Sequence, residues 1–210
     1  MKKIIFAAIM AIFGLSINAQ IVYSRSSMIT KEKTQVPGYN MVYFQWNPSK
    51  IKYDGTSYDF TGLTLGYNRG ISLAPNTPLF LEVGGAAQYS FGDEYDEKIN
   101  FVSVKVPINL TYNWEISDMF AIAPYAGLTA RFNIWGRGEY KGGYYGGGSY
   151  NLFSSDEGDC KRFQVGWQVG ANFKFNKKFY IGASYGTDFN KFGGDDGKIH
   201  TTSITAGIIF

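Results

Sequence analysis

The stretch Phe101-Val102-Ser103-Val104-Lys105-Val106-Pro107-Ile108-Asn109-Leu110-Thr111-Tyr112-Asn113-Trp114 alternates apolar and polar residues along its whole length. Val102, Val104, Val106, Ile108, Leu110, Tyr112 and Trp114 share one parity, and Ser103, Lys105, Pro107, Asn109, Thr111 and Asn113 the other. Successive side chains of a strand point to opposite faces, so this is a strand with one greasy side and one polar side. It exceeds the roughly 5–6 residues of an ordinary strand and reaches the roughly 9–11 that a tilted strand needs to cross hydrocarbon.

The same two-sided pattern recurs on both sides of it. Phe163, Val165, Trp167, Val169, Ala171, Phe173 and Phe175 alternate with Gln164, Gly166, Gln168, Gly170, Asn172 and Lys174. Phe179 to Asn190, Phe120 to Ile134 and Leu79 to Phe91 follow the same rule, with Asp188, Arg131 and Glu82 on their polar faces. Three weaker segments, Tyr39 to Trp46, Tyr58 to Ser72 and Ile199 to Phe210, bring the expected total to eight, an even number that returns both ends of the chain to one side of a membrane. The expected fold is all-β: a transmembrane antiparallel up-and-down β-barrel of eight strands.

Connector lengths support this. Ala74 to Pro78, Glu115 to Asp118 and Asn176 to Lys178 read as short turns, whereas Asn47 to Ser57, Gly92 to Lys98, Gly136 to Asp159 and Lys191 to Lys198 read as longer outer loops. Alternating short and long connectors are the pattern of an outer-membrane barrel. Aromatics near strand ends fit interfacial girdles: Tyr112, Trp114, Phe120, Phe173, Phe175, Phe179 and Phe210 on the periplasmic side, and Phe91, Phe101, Phe132, Trp135, Phe163, Trp167 and Phe189 on the outer side. A soluble β-sandwich would not need polar faces so rich in Gly, Asn and Gln.

Composition agrees. The chain holds 16 Tyr, 17 Phe, 4 Trp and 26 Gly, yet its mean hydropathy is −0.16, as expected where only alternate residues meet lipid. Lys2 and Lys3, then the apolar run Ile4 to Leu15, then Ile17-Asn18-Ala19, have the layout of a secretory signal, with cleavage expected after Ala19. The expected organisation is a signal peptide at 1–19, a periplasmic segment at 20–35 and a barrel domain at 36–210. Losing Lys2 and Lys3 takes the formal charge from +3 to +1, which leaves no electrostatic basis for nucleic-acid binding. The lone Cys160 excludes an internal disulfide framework.

The chain stops on Ser203-Ile204-Thr205-Ala206-Gly207-Ile208-Ile209-Phe210. A last strand ending in Phe, with Ile208 two residues earlier, resembles the C-terminal signal read by the barrel-assembly machinery. With the leader ending Ala19-Gln20, residues 36 to 210 resemble the small porin-like outer-membrane β-barrel family common in Bacteroidetes. The resemblance implies a fold and a place, the bacterial outer membrane. It implies contact with outer-membrane lipid and lipopolysaccharide, and with the assembly machinery through the strand ending at Phe210. It carries no catalytic signature.

Chemistry-bearing motifs are sparse. Phe192-Gly193-Gly194-Asp195-Asp196-Gly197-Lys198-Ile199 departs from a phosphate loop at its first and last positions. One His and one Cys do not make a zinc set without carboxylates. No metal, cofactor or catalytic residue is expected, and the chain reads as a non-enzyme. Some outer-membrane barrels deacylate lipid A with a His and a Ser close together on the lipid-facing side; here Thr202 shares the face of His200 and Ser203 does not, which leaves a histidine at the outer interface. Acidic loop clusters (Asp93, Glu94, Asp96, Glu97; Asp156, Glu157, Asp159; Asp195, Asp196) lack the spacing of a calcium loop and read as solvated.

The candidate site is therefore the lumen, into which Glu82, Lys105, Arg131, Gln164, Gln168, Asn172 and Asp188 are expected to point. An eight-stranded barrel is just wide enough for side chains to fill it. The expectation is a hydrogen-bonded plug with Glu82 meeting Lys105 or Arg131, since unpaired buried charge is costly. The functional readings are a structural or small-solute passage role, an adhesion role through Gly136 to Asp159 with its tyrosines, and, third, a lipid-modifying enzyme.

Overall fold

The computed structural model describes residues 36–53, 56–94, 97–140, 147–154, 160–193 and 197–210. The expected signal peptide and periplasmic segment lie outside them, as do Asp96, Asp156, Glu157, Asp159, Asp195, Asp196, Tyr144 and Tyr145 of the expected loops.

The described chain is almost wholly strand: β1 (Tyr39–Tyr53), β2 (Thr56–Ala74), β3 (Thr77–Glu94), β4 (Glu97–Tyr112), β5 (Trp114–Glu115), β6 (Phe120–Tyr140), β7 (Gly148–Asn151), β8 (Phe163–Phe175), β9 (Phe179–Asp188) and β10 (Ile199–Ile209). Two are short: β5 and β7 each pair with β6 at its ends. The other eight form one antiparallel sheet in which each pairs with its sequence neighbour, and β1 pairs β10 to close the barrel. Partner residues can be followed once around the wall, from Asn40 through Arg69, Val83, Ile108, Leu128, Trp167, Thr187 and His200. The path returns to β1 at Lys50, ten residues further along. This stagger is what tilting the strands of a closed barrel demands.

Parity decides which side chains face which solvent. Val42, Phe44, Trp46, Leu63, Leu65, Ile108, Leu110, Phe173, Ile181, Ile204 and Ile208 stand exposed on the outside, where lipid rather than water is their solvent. The alternate residues are buried and mostly polar. Turn chemistry fits the short end. Asn76 (φ 63°) follows Pro75 in the β2–β3 turn, and Asn176 (φ 50°) and Lys177 (φ 56°) supply the two left-handed positions that a tight β8–β9 hairpin requires.

Two expectations need correction. The outer connectors are mostly ladder: β1 and β2 pair as far as Tyr53↔Thr56, β3 and β4 as far as Glu94↔Glu97, and β6 runs on to Tyr140, where it pairs β7. Above the lipid the outward face turns polar, as at Lys50, Asp59 and Asp93, and the apolar residues Phe60, Phe101 and Ile199 face inward instead, so the alternation changes side while the backbone still needs its partners. Phe101 is 1 % exposed and points inward on the Ser103 parity, so it is not a girdle residue. Trp135 does face outward, but only because the register slips between Val102 and Ser103, leaving Ile134 extra on β6, so that consecutive residues both face out. Proline is accommodated by lapses in the ladder: β1 and β10 do not pair at Asn47-Pro48, nor β3 and β4 at Pro107.

Candidate functional site: the filled lumen

All seven candidate residues sit on inward-facing positions, and the register divides them into levels. At the periplasmic end Glu82 is 2 % exposed. It accepts a hydrogen bond from the Tyr39 hydroxyl, and the Lys174 ammonium lies 4.2 Å from the centre of the Tyr39 ring. Phe80 meets the Tyr39 ring edge-on at 4.9 Å, and Met41, Tyr43, Tyr180 and Ile209 pack just above.

The expected pairing of Glu82 with Lys105 or Arg131 is not formed, and the register explains why. Glu82 pairs across β2 Gly70 with β1 Tyr39, whereas Arg131 pairs across Lys105 with Ala86. Glu82 and Ala86 are four residues apart on β3, or about 13 Å at the rise of a strand. Arg131 instead forms a short ion pair with Asp188, with side chains 7 % and 12 % exposed. Lys105 stands beside Arg131 and within electrostatic reach of the same carboxylate.

The amides complete the filling. Gln168 donates to Asn109 (2.7 Å) and Gln45 to Thr205 (2.9 Å). Nearer the outer mouth Gln164 and Asn133 are joined at 2.5 Å, Asn133 accepts from Ser103 at 2.9 Å, and Asn47 donates to Thr64 at 2.7 Å. Asn172 is buried beside Lys105, Asn68 and Gln168 around a cavity of about 30 Å³, the space of a single water. Above the polar level Phe60, Phe101, Leu152, Phe153, Phe192 and Ile199 close together as an apolar cap, with Phe192 5.5 Å from Phe101. Leu152, Phe153 and Phe192 come from connectors that turn back into the mouth.

Tyr39, Asn109, Asn133 and Lys174 are members that sequence reasoning missed. The last three were already on polar faces by parity; only register says what they touch. Register also explains much of the glycine. Tyr39, Tyr43, Tyr125, Tyr150 and Tyr180 each lie over the glycine directly across the ladder: Gly70, Gly66, Gly170, Gly138 and Gly207. A Cβ on any of these glycines would fall within 3 Å of the ring. Among the described residues no three His, Cys, Asp or Glu side chains form a metal-ligand set.

No curated protein matches the chain in sequence. Among solved structures, the outer membrane enzyme PagL is similar over 80 % of this chain and 98 % of its own, at 15 % identity and a TM-score of 0.51. Neisserial surface protein A is similar over 83 % and 98 %, at 11 % identity and a TM-score of 0.50. The attachment invasion locus protein of Yersinia pestis is similar over 83 % and 100 %, at 19 % identity and a TM-score of 0.46. At these identities the first two speak for the fold alone. The model of the outer membrane protein beta-barrel domain matches residues 25–210. With a closed eight-stranded wall, an apolar exterior and a match over most of its length, the chain belongs to the outer membrane protein beta-barrel domain family and resides in the bacterial outer membrane.

Proposed function

We propose that this protein is a non-enzymatic, structural barrel whose lumen is closed to solutes. The observation that carries the reading is the filling of the interior at successive levels: the Tyr39–Glu82–Lys174 group, the Arg131–Asp188 pair with its amides, and the apolar cap. A hydrated ion would have to displace both a desolvated ion pair and a cluster of aromatic rings. The His200 Nδ1 lies 3.0 Å from the Tyr185 hydroxyl and is engaged there rather than with a serine. The narrower placing among porin-like barrels of Bacteroidetes rests on the leader layout and the strand ending at Phe210.

The mature protein, Gln20 to Phe210, is expected to be silent in a planar bilayer once its heat-modifiable gel mobility shows that it has folded. Steady conductance steps that change with Arg131→Gln would overturn the closed-lumen reading and return small-solute passage to first place.

A second reading, surface adhesion, is favoured by the β6–β7 hairpin. Tyr140 stacks on Tyr150 at 5.2 Å and stays 57 % exposed, while the Tyr150 hydroxyl is held by Glu97. Burial, followed by that carboxylate, pushes the Tyr150 phenol above its usual range, so it stays a neutral donor. If the hairpin is adhesive, cells displaying Tyr140→Ala should lose most of their attachment to glycan- or protein-coated surfaces. Unchanged attachment would leave the structural role alone.

A further inference from the structure

At its periplasmic end the barrel keeps a vestibule below the filled lumen. A cavity of about 260 Å³ is lined there by Tyr39, Phe80, Asn113, Asp118, Lys174 and Ile209, among others. Tyr39, Phe80, Lys174 and Ile209 sit on the inward parity of β1, β3, β8 and β10, and Asn113 continues the inward parity of β4, so these side chains face one another across the mouth. The walls are pinned by backbone bonds: Asn113 donates to Pro78 at 2.7 Å, Ile209 to Lys178 at 2.6 Å, and Ile116 and Ser117 both to Phe120, at 2.9 and 3.1 Å. The cavity is therefore preformed.

Its polar groups keep hydrogen-bonding capacity that the barrel does not use. Lys174 is only 5 % exposed, yet an ammonium has three N–H donors to satisfy. The Tyr39 ring covers one side of it at 4.2 Å and Glu82 lies within electrostatic reach, but among the described residues no hydrogen-bond acceptor holds it. Asn113 has its Oδ1 buried and likewise without a partner among the described residues, a costly state for an amide oxygen. Asp118, in the turn that enters β6, is exposed and forms no hydrogen bond or ion pair among the described residues, whereas Glu115 beside it is engaged by Lys177 at 3.6 Å. Through the pairs Glu115↔Ala121 and Ala121↔Lys174 this acidic turn begins two strand spacings, about 10 Å, from the backbone of Lys174.

A cation and an anion that both lack hydrogen-bond partners, set this far apart beside the apolar surfaces of Phe80 and Ile209, match a small molecule that carries both charges. A phosphate would bring its excess negative charge against Glu115 and Asp118. About 260 Å³ falls just under the roughly 300–1,000 Å³ of ordinary small-molecule sites, which suits one amino acid better than a peptide. We propose that the vestibule binds a free α-amino acid with an apolar side chain, its carboxylate on Lys174, its ammonium on Asp118 and its side chain against Phe80 and Ile209. The Asn113 amide, turned over, accepts a second ammonium N–H. The site lies below the plug, so the inference is independent of whether the lumen conducts.

The test is an NMR titration of the folded mature barrel, Gln20 to Phe210, in micelles, with leucine as the probe and the amide shifts of Asn113, Asp118 and Lys174 as the readout. Leucine is expected to move these signals in a saturable way and to bind at least tenfold more tightly than either N-acetyl-leucine, which keeps only the carboxylate, or leucine amide, which keeps only the ammonium. Lys174→Met is expected to weaken leucine about tenfold or more. Because that side chain also belongs to the packed lumen, Asp118→Asn, on the exposed turn, supplies an independent arm and is expected to weaken leucine while leaving N-acetyl-leucine unmoved. Absence of saturable shifts, or affinities for the two one-charge analogues equal to that for leucine, would overturn the proposal. So would a leucine affinity unchanged in Asp118→Asn. Leucyl-leucine binding as tightly as leucine would assign the vestibule to peptides and overturn the single amino acid as its occupant.

Discussion

Asp188→Leu is expected to lower the stability of the folded barrel by about 3–5 kcal/mol, read as a shift of the urea midpoint in phospholipid vesicles with its slope unchanged. Among the described residues, the side chain removed is the one carboxylate within electrostatic reach of both Arg131 and Lys105, whose cations would then share a dehydrated interior without it. Arg131→Met should cost distinctly less, because Asp188 keeps Lys105 as an electrostatic partner. The asymmetry discriminates between mechanisms: if the ion pair mattered only as packed volume, the two variants would cost alike. In Arg131→Met/Asp188→Leu the penalty should exceed that of Arg131→Met, since Lys105 is again stranded, and adding Lys105→Met should restore much of it. A triple variant no more stable than Asp188→Leu would sink this account of the lumen.

Two adjacent glycines should behave in opposite ways. On inward-facing Gly84 a Cβ would lie 1.9 Å from the Tyr67 carbonyl oxygen and 2.2 Å from Asn68 Oδ1, whereas on outward-facing Gly85 it would meet nothing within 4 Å. The first obstacle is the backbone of β2, which is held through the pairs Asn68↔Gly84 and Tyr67↔Gly85 and cannot retreat without opening the ladder. Gly84→Val is therefore expected to abolish the closed barrel, seen as loss of the heat-modifiable gel band. Gly85→Val should fold and gain up to about 1 kcal/mol, since glycine in a strand forfeits backbone entropy and valine suits a pleated surface. A heat-modifiable Gly84→Val would show that the close approach of β2 and β3 is not required for closure.

Much of this structure was legible in period-two alternation. Alternation placed each of Glu82, Lys105, Arg131, Gln164, Gln168, Asn172 and Asp188 on an inward face, because parity is a local property of one strand. It could not say which residues share a level. That depends on the stagger accumulated strand by strand around the wall, which is why Glu82 was expected near Arg131 and is found beneath the Tyr39 ring. The pairing of tyrosines with cross-strand glycines was hidden for the same reason: each half is visible in the sequence, the register is not. The outer ladders resemble loops in the sequence because the outward apolar face ends where lipid ends and the few apolar residues beyond it, such as Phe60 and Ile199, sit on the other parity, although the hydrogen bonding continues. The inward turn of Leu152, Phe153 and Phe192 left only the weak trace of apolar residues inside polar connectors.

The seam where β1 meets β10 has a kinetic meaning. Every other wall contact joins neighbours along the chain and can zip from a turn, but this one ties Gln45 to Thr205, 160 residues away, and Asn40 to Phe210. Its loop-closure entropy must be met before any of its bonds are returned, so closure is the step that sets the pace of folding. Until it forms, both edge strands would carry unsatisfied amides into hydrocarbon at several kcal/mol each, so a half-closed sheet has no comfortable resting place there. The same barrier, met in reverse, makes persistence of the folded barrel a matter of the rate at which one seam opens rather than of the equilibrium sum of its contacts.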